Sequence, residues 1–570
     1  MANEARPSNV YMSQHPAWPY PDCDLYQAGL EMAEFPSTAG HIVWPSGIRT
    51  ALPFLPSTEE SISTDGVKKM AAGKDDLLLP RHDRIAAIVD LGSKALTPME
   101  TIALNRWIRK MLGDGRLVVL HNTPMTSQIP LTEDGFVALR SDLDKRIDVL
   151  EELADYNRSV PEEEKEKARP GRKSKGKGRP SKLEKTGKKA AGMLYHYDSR
   201  HVRCEYMQIG KQRHTHTAVY STDTELEVNG EESGSIHRAF ENPDRVGPHV
   251  SLTIREFIRC RTNHHFCGNW LDSATVFCSG SPMFIQGISD DSIAAASIMS
   301  TNSESDERRQ PFSQDWVRCK SWSIAAHATS FTSFHHDSNG LCTWALVLSG
   351  LKFWGYVVTV DGIVEMKKRG ELDSEMFTES PPMYSMRQGH VVLTVGSTVI
   401  MPPGLLHTVF TALSSVMNGG HFYCYDTMAA TEMAMRFDKE KTAQKTNNHH
   451  PSYIAIMVRM VLAMPSIFKE MVPYDTICAF GAILGDPTFY KLQEFSGMED
   501  ANVLSEVDEI DKALLHKARN LLLRGLVKSN EVQEGKAWKA ISTQLRKSLD
   551  EHHHKTNKPS NLYMRISDFR

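Results

Sequence analysis

Between Val250 and Thr427 the chain is a succession of short apolar or alternating runs, among them WSIAAHATSF, TWALVLSGLKFWGYVVTV, HVVLTVGSTVIMPP, HTVFTAL and VMNGGHFYCYD. Glycine, proline, asparagine and aspartate bound these runs, as they do β-strands joined by tight turns. Strands at this density, with no helical stretch between them, suggest a barrel or a jelly-roll pair of sheets. Helical spacing appears on either side. From Arg84 to Leu120 it lets Ile102, Leu104, Trp107, Ile108 and Leu112 share a face, and in DEIDKALLHKARNLLLRGL it does the same for Ile510, Leu514, Ala518, Leu521 and Leu522. The expected fold is therefore α+β. It has a small helical region over 81–160, a β-rich domain over 250–430 and a helical C-terminal region over 431–550. Residues 1–80, rich in Pro, Ser and Thr, are expected to be mostly disordered, 193–249 to be an irregular lead-in, and 551–570 to be a disordered tail.

A further compositional break separates the first two regions. Residues 165–189 carry twelve Lys or Arg against two Glu, interspersed with Gly and Pro, so 161–192 is expected to be a disordered basic linker. It can act as a solvated spacer or a nuclear localisation signal. It can also contact DNA, because Lys177-Gly178-Arg179-Pro180 resembles the core of an AT-hook, with Lys177 in place of the first arginine. The net charge of −4 over 570 residues favours no partner by itself, so any attraction must be local. Nine scattered cysteines without a Cys-x-x-Cys argue for reduced thiols and against a zinc ribbon, a PHD-type finger or a disulfide scaffold. Cys260 and Cys267 flank a histidine pair, but at a spacing that fits no common finger. No secretory signal is read at the N-terminus. The apolar run from Tyr453 to Met464 is short, contains Arg459 and ends at Pro465, so no membrane span is expected.

The β-rich region carries the residues with chemical potential. FTSFHHDSNG places His335 and Asp337 two apart, so that on an extended strand both point to one side. His407 follows a Pro-Pro-Gly turn at the junction of two strand-like runs. Two histidines and one carboxylate are the facial set that binds non-haem Fe(II) and leaves three coordination positions open. His336 then points away from the metal, behind it or toward a substrate.

These residues and their flanks resemble the JmjC (jumonji C) family of Fe(II)- and 2-oxoglutarate-dependent oxygenases, nearest the F-box/PHD-finger branch of histone lysine demethylases. The match runs through Thr332, Phe334, His335, Asp337, Gly340, Trp344, Gly350, Lys352, Pro402, Gly404, His407, Gly419, Gly420 and Phe422, over about 180 residues. The resemblance implies a double-stranded β-helix, that is, a jelly-roll or cupin-like JmjC barrel, for 250–430. It implies His335, Asp337 and His407 as iron ligands, and Lys352 and Thr332 as the holders of the distal carboxylate of 2-oxoglutarate. Asn269, in NWLDSA, resembles an asparagine near the cosubstrate. Two positions depart from the pattern: Ala345 replaces a tyrosine and His421 an asparagine, which bears on substrate choice more than on oxygen activation.

With O2, such a site couples decarboxylation of 2-oxoglutarate to attack on a C–H bond. On an N-methyl lysine this releases formaldehyde, and on a carbon side chain it leaves a hydroxyl group. The expectation is a nuclear histone lysine demethylase acting on a methylated histone or another protein. The alternatives are an inactive JmjC chromatin- or DNA-binding regulator and a hydroxylase of a non-histone protein or RNA. Chromatin targeting falls to the basic segment or to another protein.

Overall fold

The structure is a computed structural model. It describes residues 10–11, 41–43, 49–51, 86–92, 95–124, 201–207, 249–253, 267–274, 282–294, 319–328, 330–358, 389–441, 450, 453–486, 489, 501–556 and 563–569. The basic segment 161–192 and Cys260 lie outside the described residues. Within the first 80 residues, β1 (Val10–Tyr11), β2 (His41–Val43) and β3 (Arg49–Ala51) form a small sheet of their own.

The region expected to be helical contains one helix between two strands. Strand β4 (Ala86–Asp90), helix α1 (Pro98–Gly113) and strand β5 (Leu117–His121) make a crossover in which β4 and β5 pair in parallel. This corrects the helical expectation for Ala86–Asp90 and for Leu117–Leu120. A short, nearly continuous apolar run has no periodicity to separate strand from helix, and a parallel strand buried on both faces has that pattern. Helix α1 begins where its sequence says it should: Thr97 caps it in a reciprocal box with Glu100, and Pro98 stands in the first turn. Its buried face is Ile108, Met111 and Leu112, flanked by Leu104 and Trp107, while Ile102 faces outward.

Strand β5 joins the main sheet, which is mostly antiparallel. The order is β4, β5, β13 (Thr398–Met401), β11 (Cys342–Val358), β14 (Leu406–Phe422), β9 (Trp322–Ala326), β8 (Cys267–Ala274), β6 (His201–Met207) and β7 (His249–Thr253). Strand β10 (Phe331–His335) pairs with β14 and β12 (Gly389–Leu393) with β11, off that path. Among the described residues the path does not close into a barrel, and β6 shows that the expected irregular lead-in contributes a strand.

The long strands β11 and β14 are each shared by two groups of neighbours. The first part of β11 lies between β13 and the end of β14, and its second part between β12 and the start of β14. The register shifts between Val347 and Lys352, where Gly350 adopts φ +80° and a Cβ would overlap the Ser414 carbonyl oxygen. Apolar side chains from both groups, including Ala345, Val347, Val399 and Met417 from one and Trp354, Val391, Leu393 and Val409 from the other, form one core cluster. The opposite face of the first group carries Trp344, Leu346, Ile400 and Phe422, covered by α1 and by α2 (Met283–Gln286).

The C-terminal region consists of α3 (Met428–Lys441), α4 (Tyr453–Ile467), α5 (Tyr474–Gly485), α6 (Ala501–Lys528) and α7 (Trp538–Thr556) around one apolar cluster. Helix α5 is buried along its whole length, and Ala518, Leu521, Leu522 and Leu526 form the inner face of α6. The tail departs from expectation. Strand β16 (Tyr563–Arg565) pairs with β15 (Met471–Pro473), and Met564, Ile566 and Phe569 are buried in the helical core. Seven residues with three spaced apolar anchors give no periodic signal, yet Met564, Ile566 and Phe569 bury their side chains in the helical core. No helix among the described residues is long and apolar enough to cross a membrane. Cys319, Cys342, Cys424 and Cys478 are buried free thiols.

Candidate metal centre

His335 is the last residue of β10 and lies in register with His407 at the start of β14. Asp337 stands two residues beyond, at the exit of the strand into the turn Ser338–Gly340. One ligand atom from each of His335, Asp337 and His407 falls within 4.8 Å of the others, and all three side chains are buried. The His335 and His407 rings are 4.2 Å apart between centroids.

His407 and Asp337 are each held in a form that could bind a metal. Burial, followed by the neighbouring His335, depresses His407 to about 3, so its ring is neutral at ordinary pH. Its Nδ1 lies 3.0 Å from the Leu405 carbonyl oxygen; the N–H must therefore sit on Nδ1, leaving the Nε2 lone pair for a ligand. Trp354 stacks on the same ring, with centroids 5.4 Å apart and planes 8° from parallel, and fixes its tilt. Burial raises the Asp337 carboxyl, but His421, His407 and His335 and the Thr343 hydroxyl together hold it below the usual carboxylate range. An ionised carboxylate and a neutral imidazole are the forms in which such side chains ligate a divalent cation.

The turn after Asp337 is clamped by the C-terminal region. Asn339 occupies the left-handed region at φ 58°, and Gly340 follows at φ 62°, where a Cβ would press on Thr431. Tyr423 donates its hydroxyl to the Asn339 carbonyl, the His450 backbone N–H donates to Asn339 Oδ1, and Thr431 donates to the Gly340 carbonyl. His336 turns away from His335 and Asp337, as expected from the strand alternation. It meets Asp438 of α3 through Nε2 at 3.0 Å, while Nδ1 donates to the Asp337 carbonyl.

The other sequence-selected residues share one face of the sheet. Lys352 is directly opposite Thr411 and Leu393, and Thr332 is opposite Val409; Leu393 and Val409 belong to the core between the two strand groups. Lys352 is 3% exposed and its Nζ donates to Thr411 Oγ1 at 2.8 Å. Asn269 on β8 and Ser415 on β14 both lie opposite Ala326 of β9, next in the alternation to Ile324, which packs on that same core. Asn269 Oδ1 and Ser415 Oγ are buried and make no hydrogen bond among the described residues. Orphaned buried polar atoms are rare, and two on a face that also carries the buried Lys352 mark that face as suited to a polar small molecule.

No protein-family model matches the chain. The functional reading therefore stands on the residues and their geometry.

A second group, Asp290, Cys424 and Asp426, also brings three ligand atoms together. There the Arg109 guanidinium already fills the gap, at 2.5 and 2.7 Å from Asp290 and 2.9 Å from Asp426, and pins α1 to the segment after α2 and to the turn after β14. Thr343, Trp354, Thr411 and Asp438 escaped the sequence reading. Each is remote from its partner along the chain or unremarkable in type, and only the register across β11 and β14 could have found Thr343 and Thr411.

Proposed function

We propose that the protein is an Fe(II)- and 2-oxoglutarate-dependent oxygenase of the JmjC type, acting on a protein substrate and most simply a histone lysine demethylase. We also take the two strand groups that share β11 and β14 as the two sheets of a jelly-roll domain. The observation that carries this reading is the buried His335, Asp337 and His407 set, whose ligand atoms converge within 4.8 Å. The buried Lys352 amine and the Ser415 hydroxyl on the same sheet face are donors that support an acidic cosubstrate beside them.

Bound iron and 2-oxoglutarate would supply oxidation of a C–H bond by O2. The chain's share is binding, orientation and exclusion of water. His335, Asp337 and His407 would hold the metal on one side. Lys352 and Thr332 would bind the distal carboxylate, the ammonium as a compact charge in a desolvated setting and the hydroxyl as a directed donor. Asn269 would orient the cosubstrate from β8. The wall of Trp354, Val391, Leu393 and Val409 would keep bulk water from the reacting atoms.

The test is succinate formation from 2-oxoglutarate by the purified protein with Fe(II) and ascorbate, with His407→Ala and Lys352→Ala alongside. Turnover that both substitutions abolish supports an oxygenase. Absence of turnover with methylated histone peptides, while iron is bound, would sink the reading. Mass spectrometry of the peptides then separates demethylation, a loss of about 14 Da per methyl group, from hydroxylation, a gain of about 16 Da.

A further inference from the structure

Thr343 lies opposite His421 across the β11–β14 pairing, and its hydroxyl touches two groups. Thr343 Oγ1 is in close hydrogen-bonding contact with Asp337 Oδ2, and it lies 2.8 Å from His421 Nδ1. The donor inventory fixes the direction of this chain. An ionised carboxylate only accepts, so the one hydroxyl proton of Thr343 goes to Asp337. The hydroxyl must then accept from His421, whose proton sits on Nδ1. His421 is itself held among rings, 5.6 Å from Trp322 and 5.5 Å from His450 between centroids. All three members of the chain are buried.

We infer that Thr343 and His421 are a positioning pair for the metal ligand Asp337: the Thr343 hydroxyl, aimed by His421, holds Oδ2 and so fixes the rotation of the carboxylate beside His335 and His407. A carboxylate without such a contact can rotate about its Cβ–Cγ bond; one hydrogen-bonded at Oδ2 keeps a single orientation. Neither residue touches the metal, so both act through Asp337. His421 stands where the resembled pattern has an asparagine, and its Nδ1–H gives this chain a donor suited to a threonine hydroxyl. The inference rests on the metal reading above and deepens it.

The test is metal affinity, measured without turnover. The full-length protein is titrated calorimetrically with Mn(II), and the Co(II) adduct is followed by its visible absorption. Thr343→Val should weaken Mn(II) binding about 10- to 100-fold and alter the Co(II) spectrum, while Thr343→Ser, which keeps the hydroxyl, restores both. His421→Phe should match Thr343→Val, and the double variant should be no worse than either, since the two act in series. If Thr343→Val does not fold, judged by circular dichroism, His421→Phe carries the same expectation with Thr343 in place. Equal affinity and spectra in wild type, Thr343→Val and His421→Phe would overturn the pairing while leaving the metal site intact. Binding that is absent in the wild type, or unaffected by His407→Ala, would overturn the metal reading and the pairing with it.

Discussion

The imidazole of His336 meets the carboxylate of Asp438 at 3.0 Å, with the histidine fully buried, and this contact fastens the end of strand β10, which carries His335, to helix α3. Burial alone would lower His336, but Asp438, with the Asp337 carbonyl behind it, raises it above the ordinary histidine range. The C-terminal helices are thereby part of the site's frame.

Asp438→Ala should therefore destabilise the fold by about 3–5 kcal/mol, because it leaves a buried imidazolium without its counter-charge. Urea unfolding of the metal-free protein measures this. A loss within about 0.5 kcal/mol, the range of an ordinary surface substitution, would show the pair to be dispensable.

Removal of the Phe569 side chain tests the ordered tail. The ring is fully buried against Gly525, where a Cβ would overlap it. Phe569→Ala should cost about 3–5 kcal/mol, whereas in a loose tail the change would be silent.

Gly350→Ala should lower stability by more than about 1 kcal/mol, since the residue needs φ +80° and the added Cβ meets the Ser414 carbonyl. The shift in thermal midpoint would report it. Because Gly350 sits two residues before Lys352, the proposed binding of 2-oxoglutarate should weaken as well.

His121 gives a pH dependence. Burial holds it below the ordinary histidine range, with Asp90 opposing, and its Nδ1 lies 2.9 Å from Ser397 Oγ. As pH falls through about 6.5 toward the lowered folded value, the unfolded chain takes up a proton before the folded one. Stability is thus full above the unfolded value and lost on acidification. His121→Asn should lose less between pH 7.5 and 5.5 in urea midpoints than the wild type; an equal loss would remove His121 as the cause.

The site was largely legible in sequence, and the surrounding architecture less so. His335 and Asp337 stand two residues apart on an extended run, and His407 follows a turn that marks a strand boundary, so local pattern was enough to nominate all three. The strands Ala86–Asp90 and Leu117–His121 were read as helix because a buried parallel strand has no alternation to display. The tail was missed because Met564, Ile566 and Phe569 gain their meaning from a core assembled by α4 to α7.

The sequence by itself determined which residue types were available for chemistry, the strand-rich character of 250–427 and the capped start of α1, all governed by interactions a few residues long. Tertiary structure alone decided that His407 lies beside His335, that Thr343 holds Asp337 through one oxygen, and that Asp438 backs His336 from a helix 102 residues downstream. The physical reason is that strand register and helix docking are set by burial summed over the whole core. No short window of sequence contains the partner whose contact fixes them.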